Sequence, residues 1–225
     1  RLTKIPGMTS ITCSINREKT NVIMGTKIQL LWGQMYITDY IGEVKFQISP
    51  LSFYQVNRVQ TENLYAIAKK YASLTGEEIL LDLYCGTGTI GLSMAHQAKK
   101  LIGVEVIEAA VENARKNAQV NGIENAEFIC GDAANAAEML EQQGLRPNVI
   151  VIDPPRKGCD QSLIKTISRM APDKVVYVSC DPATLARDLR WFTEEGYMPQ
   201  EVTPVDMFPR TAHIETCVLL QRKTM

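Results

Sequence analysis

From Glu78 onward, short apolar runs alternate with stretches in which apolar residues recur at helical spacing. A run of about four to eight apolar or β-branched residues predicts a strand that is buried on both faces. Six runs predict strands at residues 79–82, 101–105, 127–130, 149–153, 175–179 and 214–220. Helical patterns, for example at 107–120 and 133–143, separate the first five. This alternation predicts an α/β fold with a doubly wound, mostly parallel sheet, in which ligands bind beyond the carboxyl ends of the strands.

The amino-terminal stretch has a different pattern. Short runs such as Ile28-Gln29-Leu30 and Met35-Tyr36-Ile37-Thr38 are separated by glycines, which is typical of strands and turns. We therefore expect a small β-rich segment over residues 1–48, the remnant of an upstream or central domain, followed by a catalytic domain over 49–225. The catalytic domain opens with a predicted helix at 55–74, where apolar residues fall mostly at helical spacing.

Composition and charge serve mainly to exclude classes of protein. The chain has 225 residues and a formal net charge of −1, so charge alone does not indicate a nucleic-acid partner. It contains no apolar run long enough to span a membrane and no secretory signal pattern, so we expect no membrane association. The six cysteines are scattered without a C-x-x-C pair. That pattern argues against a disulfide framework, a metal site or an iron–sulfur cluster, and it favours reduced thiols in the cytoplasm.

The first strand of the alternating region runs into a glycine-rich loop, Asp82-Leu83-Tyr84-Cys85-Gly86-Thr87-Gly88-Thr89-Ile90-Gly91. Its G-x-G-x-x-G spacing alone would suit a dinucleotide such as NAD. Asp82, however, stands at the strand end, where a carboxylate would match the ammonium group of a methionine moiety. Glu105 ends the second strand, where an acid can bind ribose hydroxyls. The combination resembles the S-adenosylmethionine site of class I methyltransferases, and we favour that cofactor over NAD.

Two further strand ends carry acids. Asp132 follows the third strand, where an acid can accept a hydrogen bond from an adenine amine, and it is equally suited to cap the next helix. After the fourth strand, two prolines hold Asp153 in a fixed direction within Asp153-Pro154-Pro155-Arg156-Lys157-Gly158. This turn resembles the Asp-Pro-Pro-aromatic motif of amino-methyltransferases, but Arg156 replaces the aromatic residue that stacks on the target base. A plain rigid turn is the alternative.

The fifth strand leads directly into Cys180, and the following Asp181-Pro182 predicts the N-cap and first residue of a helix. A thiol at that junction feels the positive end of the helix dipole, which favours the thiolate, although a buried structural cysteine is the alternative. Glu215 begins the last apolar strand, where a carboxylate needs a partner or a chemical task. A thiolate can add to C6 of a pyrimidine so that C5 attacks a sulfonium methyl, after which a carboxylate removes the C5 proton. His213, on the same predicted strand face, is the competing base, for which we favour a positioning or structural role.

Five motifs together resemble the RNA uracil-5-methyltransferase family, which includes bacterial 23S rRNA and tRNA enzymes. They are Phe53-Tyr54-Gln55-Val56-Asn57, Leu81-Asp82-Leu83-Tyr84-Cys85-Gly86-Thr87-Gly88, Asp153-Pro154-Pro155-Arg156-Lys157-Gly158, Val178-Ser179-Cys180-Asp181-Pro182 and Phe208-Pro209-Arg210-Thr211-Ala212-His213-Ile214-Glu215. The resemblance implies that Cys180 is the nucleophile and Glu215 the base. It also implies an S-adenosylmethionine site that contains Gln55, Tyr84, Glu105 and Asp153, to which the general methyltransferase pattern adds Asp82, Gly86 and Asp132. For the first motif, without that resemblance, helix capping by Gln55 and Asn57 would be the favoured interpretation.

The resemblance implies methylation of uracil C5 in RNA, with 23S rRNA favoured over tRNA. The alternatives are an amino-methyltransferase and a methyltransferase-fold protein that binds RNA without catalysis. Family members usually carry an upstream RNA-binding β-barrel, and many carry a four-cysteine iron–sulfur motif. Neither occurs in this sequence, so we expect a catalytic fragment without a metal. Five basic residues could contact RNA phosphates, with ordinary surface charge as the alternative for each: Arg156, Lys157, Arg187, Arg190 and Arg210.

Overall fold

The computed structural model describes residues 1–17, 19, 23–25 and 27–223, so parts of the predicted 1–48 and 49–225 regions lie outside the described residues. Its strands are β1 (Ser10–Ile15), β2 (Lys27–Gly33), β3 (Ile37–Ile41), β4 (Val44–Ile48), β5 (Ile79–Leu83), β6 (Lys100–Glu105), β7 (Ala126–Cys130), β8 (Val149–Ile152), β9 (Lys174–Ser179), β10 (Tyr197–Val205) and β11 (Glu215–Arg222). Its α-helices are α1 (Arg58–Ala72), α2 (Thr89–Met94), α3 (Glu108–Val120), α4 (Ala133–Gln142), α5 (Gln161–Met170) and α6 (Pro182–Glu194). None of these helices is long and apolar enough to cross a bilayer.

Seven strands form the central sheet, in the order β10-β11-β9-β8-β5-β6-β7. Strands β5 to β9 pair in parallel, whereas β11 is antiparallel to β9 and β10 is antiparallel to β11. From β5 the chain builds outward through β6 and β7, then returns to β8 on the other side of β5. The order therefore reverses between β5 and β8, which is the point where open α/β sheets bind their ligands. The predicted doubly wound, mostly parallel sheet is confirmed.

Alternate residues of the sheet face two different helical layers, as the period of two in a strand requires. On β5, Leu80 packs in a core formed with α1, α2 and α3, whereas Leu81 and Leu83 pack in a core formed with α4, α5 and α6. Asp82 lies on the same face as Leu80, so its carboxylate points toward the helix that follows the glycine-rich loop. Burial on both faces explains why these strands are continuous apolar runs.

The predicted strands are found within one or two residues of their expected bounds, but β10 was not predicted from the sequence. Pro199 and Pro204 interrupt its pattern, and a proline is tolerated here because β10 is an edge strand of the sheet. Helix α1 is shorter than the predicted 55–74, since Asn57 caps it by accepting a hydrogen bond from the Gln60 backbone N–H. Ser73, in the left-handed conformation, ends it.

The amino-terminal residues form two antiparallel hairpins, β1–β2 and β3–β4, in agreement with the predicted β-rich segment. The second hairpin packs on the α1–α3 side of the sheet, where the Phe46 side chain is fully buried. The division of the chain at residues 48 and 49 stays a prediction.

Candidate active site

Acidic side chains and one thiol lie along one edge of the sheet, where the parallel strands end. In spatial order these are Glu215 on β11, Cys180 after β9, Asp153 after β8, Asp82 on β5, Glu105 on β6 and Asp132 beyond β7. Glu215 belongs to this edge because β11 runs antiparallel to β9, so that its amino end lies where the other strands end. The topology thus gathers residues that are up to 133 positions apart in sequence.

Gly91, the third glycine of the loop, approaches the Asp82 carboxylate so closely that only glycine fits at this position. Asp82 Oδ2 accepts a hydrogen bond from the Gly91 backbone N–H at 2.9 Å. A Cβ atom at Gly91 would lie 2.7 Å from that oxygen, so a side chain would push the carboxylate away. Gly88 caps α2 with a φ of 81°, in the left-handed region that favours glycine.

Glu105 holds the glycine loop from the next strand. Its Oε2 accepts a hydrogen bond from the Gly86 N–H at 3.0 Å, and its Oε1 accepts one from the Ile107 N–H at 2.9 Å. Each carboxylate oxygen can accept a second hydrogen bond. Glu105 is therefore oriented by the backbone and still has acceptor capacity for a ligand hydroxyl.

A small cavity lies between the glycine loop and the segment that precedes α1. Its walls include four of the predicted cofactor residues, namely Gln55, Tyr84, Gly86 and Asp153, together with Tyr65 and Thr89. Its volume is about 50 Å³, whereas ligand pockets are typically about 300–1,000 Å³. This cavity would therefore enclose only part of a cofactor.

Four buried side-chain polar atoms of the described residues have no hydrogen-bond partner: the Tyr54 hydroxyl, Gln55 Oε1, Asp82 Oδ1 and Thr87 Oγ1. Tyr54, Gln55 and Thr87 line this cavity. Buried acceptors are nearly always paired in folded proteins, so unpaired ones indicate where a bound group would donate hydrogen bonds. Two carboxylate or amide acceptors suit a cationic amino group and a ribose or adenine donor. The residues present thus fit S-adenosylmethionine.

Asp82 itself is almost fully buried, and its charge state is unusual. Burial raises its pKa to about 7, the Gly91 hydrogen bond lowers it, and the Glu105 carboxylate raises it. Near neutral pH the group is balanced between its neutral and charged forms, and a cation bound beside it would favour the charged form.

Asp132 is placed differently from the other predicted cofactor residues. Its Oδ1 accepts hydrogen bonds from the Ala134 and Asn135 backbone N–H groups at 3.1 Å each, so it caps α4. The side chain is exposed at the end of β7 and does not line the cavity. Its proposed contact with adenine stays a prediction.

The strand register sets Cys180 opposite Glu215. Thr216 on β11 pairs with Ser179 on β9, and these strands are antiparallel, so the next pair along is Glu215 and Cys180. Glu215 is only 4% exposed, whereas Cys180 is half-buried and accessible from the edge of the sheet. Asp181 caps α6 by accepting hydrogen bonds from the Ala183 and Thr184 N–H groups at 3.0 Å each.

From the sequence, the helix dipole is expected to favour a Cys180 thiolate, but the surroundings of the thiol in the folded chain raise its pKa. Burial raises the pKa of Cys180, and the Glu215 and Asp153 carboxylates raise it further. A backbone hydrogen bond and the Arg156 guanidinium lower it by less. Burial and the two carboxylates that the topology places beside the thiol together outweigh the groups that lower its pKa.

Glu215 and Asp153 also have raised pKa values. Burial is the main cause for both, and the charge of Glu215 adds to it for Asp153, whereas Arg156 lowers the pKa of Glu215. His213, in contrast, is exposed and precedes β11 in a loop, so it does not share a strand face with Glu215 as the sequence suggested.

A buried network, not expected from the sequence, fixes the loop that carries Asp153 and Arg156. Asp188 on α6 is fully buried, and its Oδ2 accepts hydrogen bonds from the Cys159 N–H at 2.7 Å and the Tyr177 hydroxyl at 2.6 Å. Arg187 pairs with Asp188 Oδ1 at 2.7 Å and donates to the Lys157 carbonyl at 2.8 Å. The helix that follows the nucleophile therefore also holds the Asp153 loop.

Within the described residues, no group of three or more His, Cys, Asp and Glu side chains is arranged to hold a metal ion.

Residues 23–223 match the tRNA (uracil-5-)-methyltransferase family. The chain is 55% identical over 220 residues to an uncharacterized RNA methyltransferase of Clostridium acetobutylicum, covering 98% of this chain and 48% of the relative. It is 53% identical over 219 residues to another uncharacterized RNA methyltransferase, from Halalkalibacterium halodurans, covering 97% of this chain and 48% of that protein. The chain thus spans about half the length of the curated relatives it matches.

Among solved structures, the tRNA (uracil-54, C5)-methyltransferase of Pyrococcus abyssi in complex with S-adenosyl-L-homocysteine is similar, with a TM-score of 0.84 and 33% identity. The match covers 98% of this chain and 53% of that chain. The tRNA m1G37 methyltransferase of M. jannaschii shares only the fold with this chain, with a TM-score of 0.67 and 14% identity over 88% of this chain and 61% of that chain. The class I methyltransferase fold and, at the level of the family, the S-adenosylmethionine cofactor are confirmed. The chain belongs to the tRNA (uracil-5-)-methyltransferase family.

Proposed function

We propose that this chain is the catalytic part of an enzyme that methylates C5 of uracil in RNA, with 23S rRNA as the first candidate substrate. The observation that carries the proposal is that Cys180, directly after β9, lies near the Glu215 and Asp153 carboxylates, whose charges act on the thiol. The β9–β11 register, which ends with Ser179 opposite Thr216, brings the two residues together. The similarity to a tRNA enzyme makes tRNA the second candidate. A cytoplasmic location belongs to the same proposal, because free cysteines and an RNA substrate suit a reducing compartment.

We propose the cofactor-binding residues from the hydrogen-bond acceptors that are unpaired or can accept a further bond in the site. Asp82 Oδ1 would accept from the ammonium group, and Glu105 would accept from the ribose hydroxyls. Gln55, Tyr84, Gly86 and Asp153 would line the rest of the cofactor site, and Asp132 would accept from the adenine amine. When bound, S-adenosylmethionine supplies an electrophilic methyl group.

Cys180 starts the proposed reaction. Its thiolate forms a bond from Sγ to C6 of the uracil, and the electron pair of the C5–C6 double bond moves to make an enolate. This step makes C5 nucleophilic, so that C5 could form a bond to the methyl group of a bound donor while the sulfur–methyl bond of that donor breaks and its electron pair stays on sulfur. The uracil must be unstacked or flipped out of its RNA helix before Cys180 can reach C6.

Glu215 completes the reaction. Its carboxylate removes the proton from C5, the C5–C6 double bond forms again, and the Sγ–C6 bond breaks to release Cys180. The buried position of Glu215 and its raised pKa suit a group that must accept a proton.

The five basic residues named from the sequence differ in their contacts. Arg187 is engaged by Asp188, Arg190 lies 3.6 Å from Glu194, and Lys157 lies 4.0 Å from Asp160. Arg156 instead acts on Cys180 and Glu215 by its charge. We therefore propose Arg156 as an electrostatic partner of the reacting groups, and exposed Arg210 as the remaining candidate for a phosphate contact.

Changing Asp82→Asn is expected to lower cofactor affinity and to alter the pH dependence of stability. The folded state keeps the Asp82 proton up to about pH 7, whereas the unfolded chain loses it near 3.8, so the free energy of unfolding falls as pH rises between these values. At about 1.4 kcal/mol per pH unit the fall is about 4 kcal/mol. Urea unfolding should show that the free energy of unfolding falls less steeply with pH in the variant, and calorimetry should show at least about tenfold weaker S-adenosylhomocysteine binding.

The exposed Asp132→Asn variant is the control, and its free energy of unfolding should change with pH as that of the wild type does. Wild-type slope and affinity in Asp82→Asn would contradict the assignment.

Changing Glu215→Gln should block release of RNA but not attack on it. The amide keeps the shape of the side chain and removes its basicity, so methylated RNA should remain attached through Cys180. A denaturing gel of the full-length protein with labelled RNA and S-adenosylmethionine should show this adduct, with release slowed by about 10²–10⁴-fold. Cys180→Ala is the control and should form no adduct, even with RNA that carries 5-fluorouridine. Normal release by Glu215→Gln would show that another group is the base.

Changing Arg156→Gln should shift the reactivity of Cys180 to higher pH. The guanidinium lowers the pKa values of Cys180 and Glu215, so both should rise when its charge is removed. The measurement is the rate of iodoacetamide alkylation of the Cys180 peptide as a function of pH, which needs no RNA. Lys157→Gln removes the same charge one residue away and should leave the profile unchanged. Equal profiles for Arg156→Gln and the wild type would remove Arg156 from the mechanism.

The choice between RNA classes is tested in cells that lack the full-length gene. Mass mapping should find one uridine position in 23S rRNA without its 5-methyl group, and the wild-type gene should restore it. A gene that carries Cys180→Ala should not restore it. Loss of the modification from tRNA instead would make tRNA the substrate, and unchanged 5-methyluridine in both would contradict the proposed reaction.

A further inference from the structure

Three asparagines recur at intervals of four residues along α3 and its end. Asn113 and Asn117 lie within the helix, and Asn121 is the residue that caps its carboxyl end. Residues four positions apart share one face of a helix, so the three side chains form a row, which we call the asparagine ladder. Asparagine is a poor helix former, and no step of the proposed reaction uses these residues.

The ladder holds the chain segment over residues 45–52. Asn121 Oδ1 accepts a hydrogen bond from the Lys45 N–H at 2.8 Å, and its Nδ2 donates to the Lys45 carbonyl at 2.7 Å. Asn117 Oδ1 accepts from the Gln47 N–H at 2.8 Å. These bonds pair the outer edge of β4 with side chains, as a neighbouring strand would pair it with backbone groups.

The hydrogen bonds of the ladder continue beyond the end of β4, where Asn113 binds the residues that follow the strand. Asn113 Nδ2 donates to the Ser49 and Ser52 hydroxyls at 3.1 and 3.0 Å, and these two hydroxyls lie 2.7 Å apart.

The spacing of the rungs, by which we mean the hydrogen bonds made by each of the three asparagines, follows from the geometry of helix and strand. Four residues of α-helix rise about 6 Å, and two residues of strand rise about 6.6 Å, so helix and segment stay in register over three rungs.

Asn117 makes a further contact that its neighbours do not make. Its Nδ2 donates to the Thr87 carbonyl at 3.2 Å, and Thr87 lies between the first two glycines of the loop. The Asn117 side chain is fully buried. One amide group therefore joins the glycine loop to β4 and the segment that follows it.

That segment leads directly to Gln55, whose side-chain oxygen is buried and unpaired at the cavity. Beyond Gln55, the chain is fixed again at Asn57, whose Nδ2 donates to the Met207 carbonyl at 3.0 Å. Between these two anchors Phe53 is 76% exposed and Val56 is 84% exposed, whereas Tyr54 packs against the core with its ring 6.5 Å from that of Phe46.

We propose that the asparagine ladder is a positioning device for the cofactor site, in which Asn117 sets the distance between the glycine loop and the segment that carries Gln55. The proposal rests on the proposed function only for the role of the cavity and of Gln55 in binding the cofactor. Asn113 and Asn117 are positioning residues, because they act through groups that contact the cofactor. Asn121 fixes β4 in the same way but has no bond to the glycine loop.

The test compares Asn117→Ala with Asn121→Ala. Each change removes one side-chain amide on the same helix face that accepts one hydrogen bond from the β4 backbone. Asn117 also donates one bond to backbone, and Asn121 donates two, to the Lys45 and Asn117 carbonyls. Both variants should therefore unfold at lower temperature than the wild type. Only Asn117→Ala should weaken S-adenosylhomocysteine binding, by about tenfold in calorimetry well below its unfolding temperature. Asn121→Ala should bind within about twofold of the wild type.

A second variant keeps the proposal testable if Asn117→Ala does not fold. Asn113→Ala leaves the buried amide intact and frees Ser49 and Ser52, so the residues after them should loosen. Chymotrypsin should then cleave after Phe53 faster than in the wild type or in Asn121→Ala, and saturating S-adenosylhomocysteine should slow the cleavage. Unchanged cleavage after Phe53 would overturn the role of this rung.

The outcomes separate this proposal from the proposed cofactor site. If Asp82→Asn weakens S-adenosylhomocysteine binding while Asn117→Ala and Asn113→Ala bind as the wild type does, the ladder has no positioning role. If Asn117→Ala and Asn121→Ala lose affinity equally, the ladder acts on stability alone, and the proposal is likewise overturned. If Asn117→Ala alone loses affinity and Asp82→Asn does not, the ladder proposal is supported and the role assigned to Asp82 fails.

Discussion

The direction of the strands is the constraint on which the site depends. Five parallel strands end at one edge of the sheet, and the antiparallel β11 begins at that edge. The reversal of β11 is needed for Glu215 to lie opposite Cys180, since a parallel strand would have brought its carboxyl end there instead. Residues that are far apart in sequence thereby meet, with backbone hydrogen bonds of the sheet setting their spacing.

Placing several carboxylates at one edge of the sheet disfavours their ionised forms. Asp82, Asp153 and Glu215 are each buried enough to raise their pKa values. The charges of Glu215 and Asp82 raise the pKa of Asp153 further, and that of Glu105 raises the pKa of Asp82. Backbone donors at Gly91 and the charge of Arg156 offset only part of the cost. A ligand that brings positive charge would offset more of it, because it would stabilise the ionised carboxylates. The acidity of the edge therefore selects a cationic cofactor over a dinucleotide, whose phosphates would be repelled.

The sequence predicts those features that depend on local pattern. Strands buried on both faces appear as apolar runs, and the N-caps Asn57, Asp132 and Asp181 appear as short polar residues before helices. Contacts between distant segments leave no such pattern. The bond from Asn117 to Gln47 spans 70 positions and that from Asp188 to Cys159 spans 29, so neither is visible before the chain is folded. The same reason explains why the raised pKa of Cys180 was not expected from the sequence, since the helix is local to it and the opposing carboxylates are not.

A thiol with a raised pKa still suits the proposed chemistry. The fraction of thiolate falls as the pKa rises, but the intrinsic nucleophilicity of that thiolate increases. Burial is the main reason that the pKa of the Cys180 thiol is raised, and the Glu215 and Asp153 carboxylates add to that rise. A cation bound beside Asp82 and Asp153 would weaken that effect, because it would screen the nearest carboxylates. The pKa of the proposed nucleophile would then be lower with the methyl donor bound than without it.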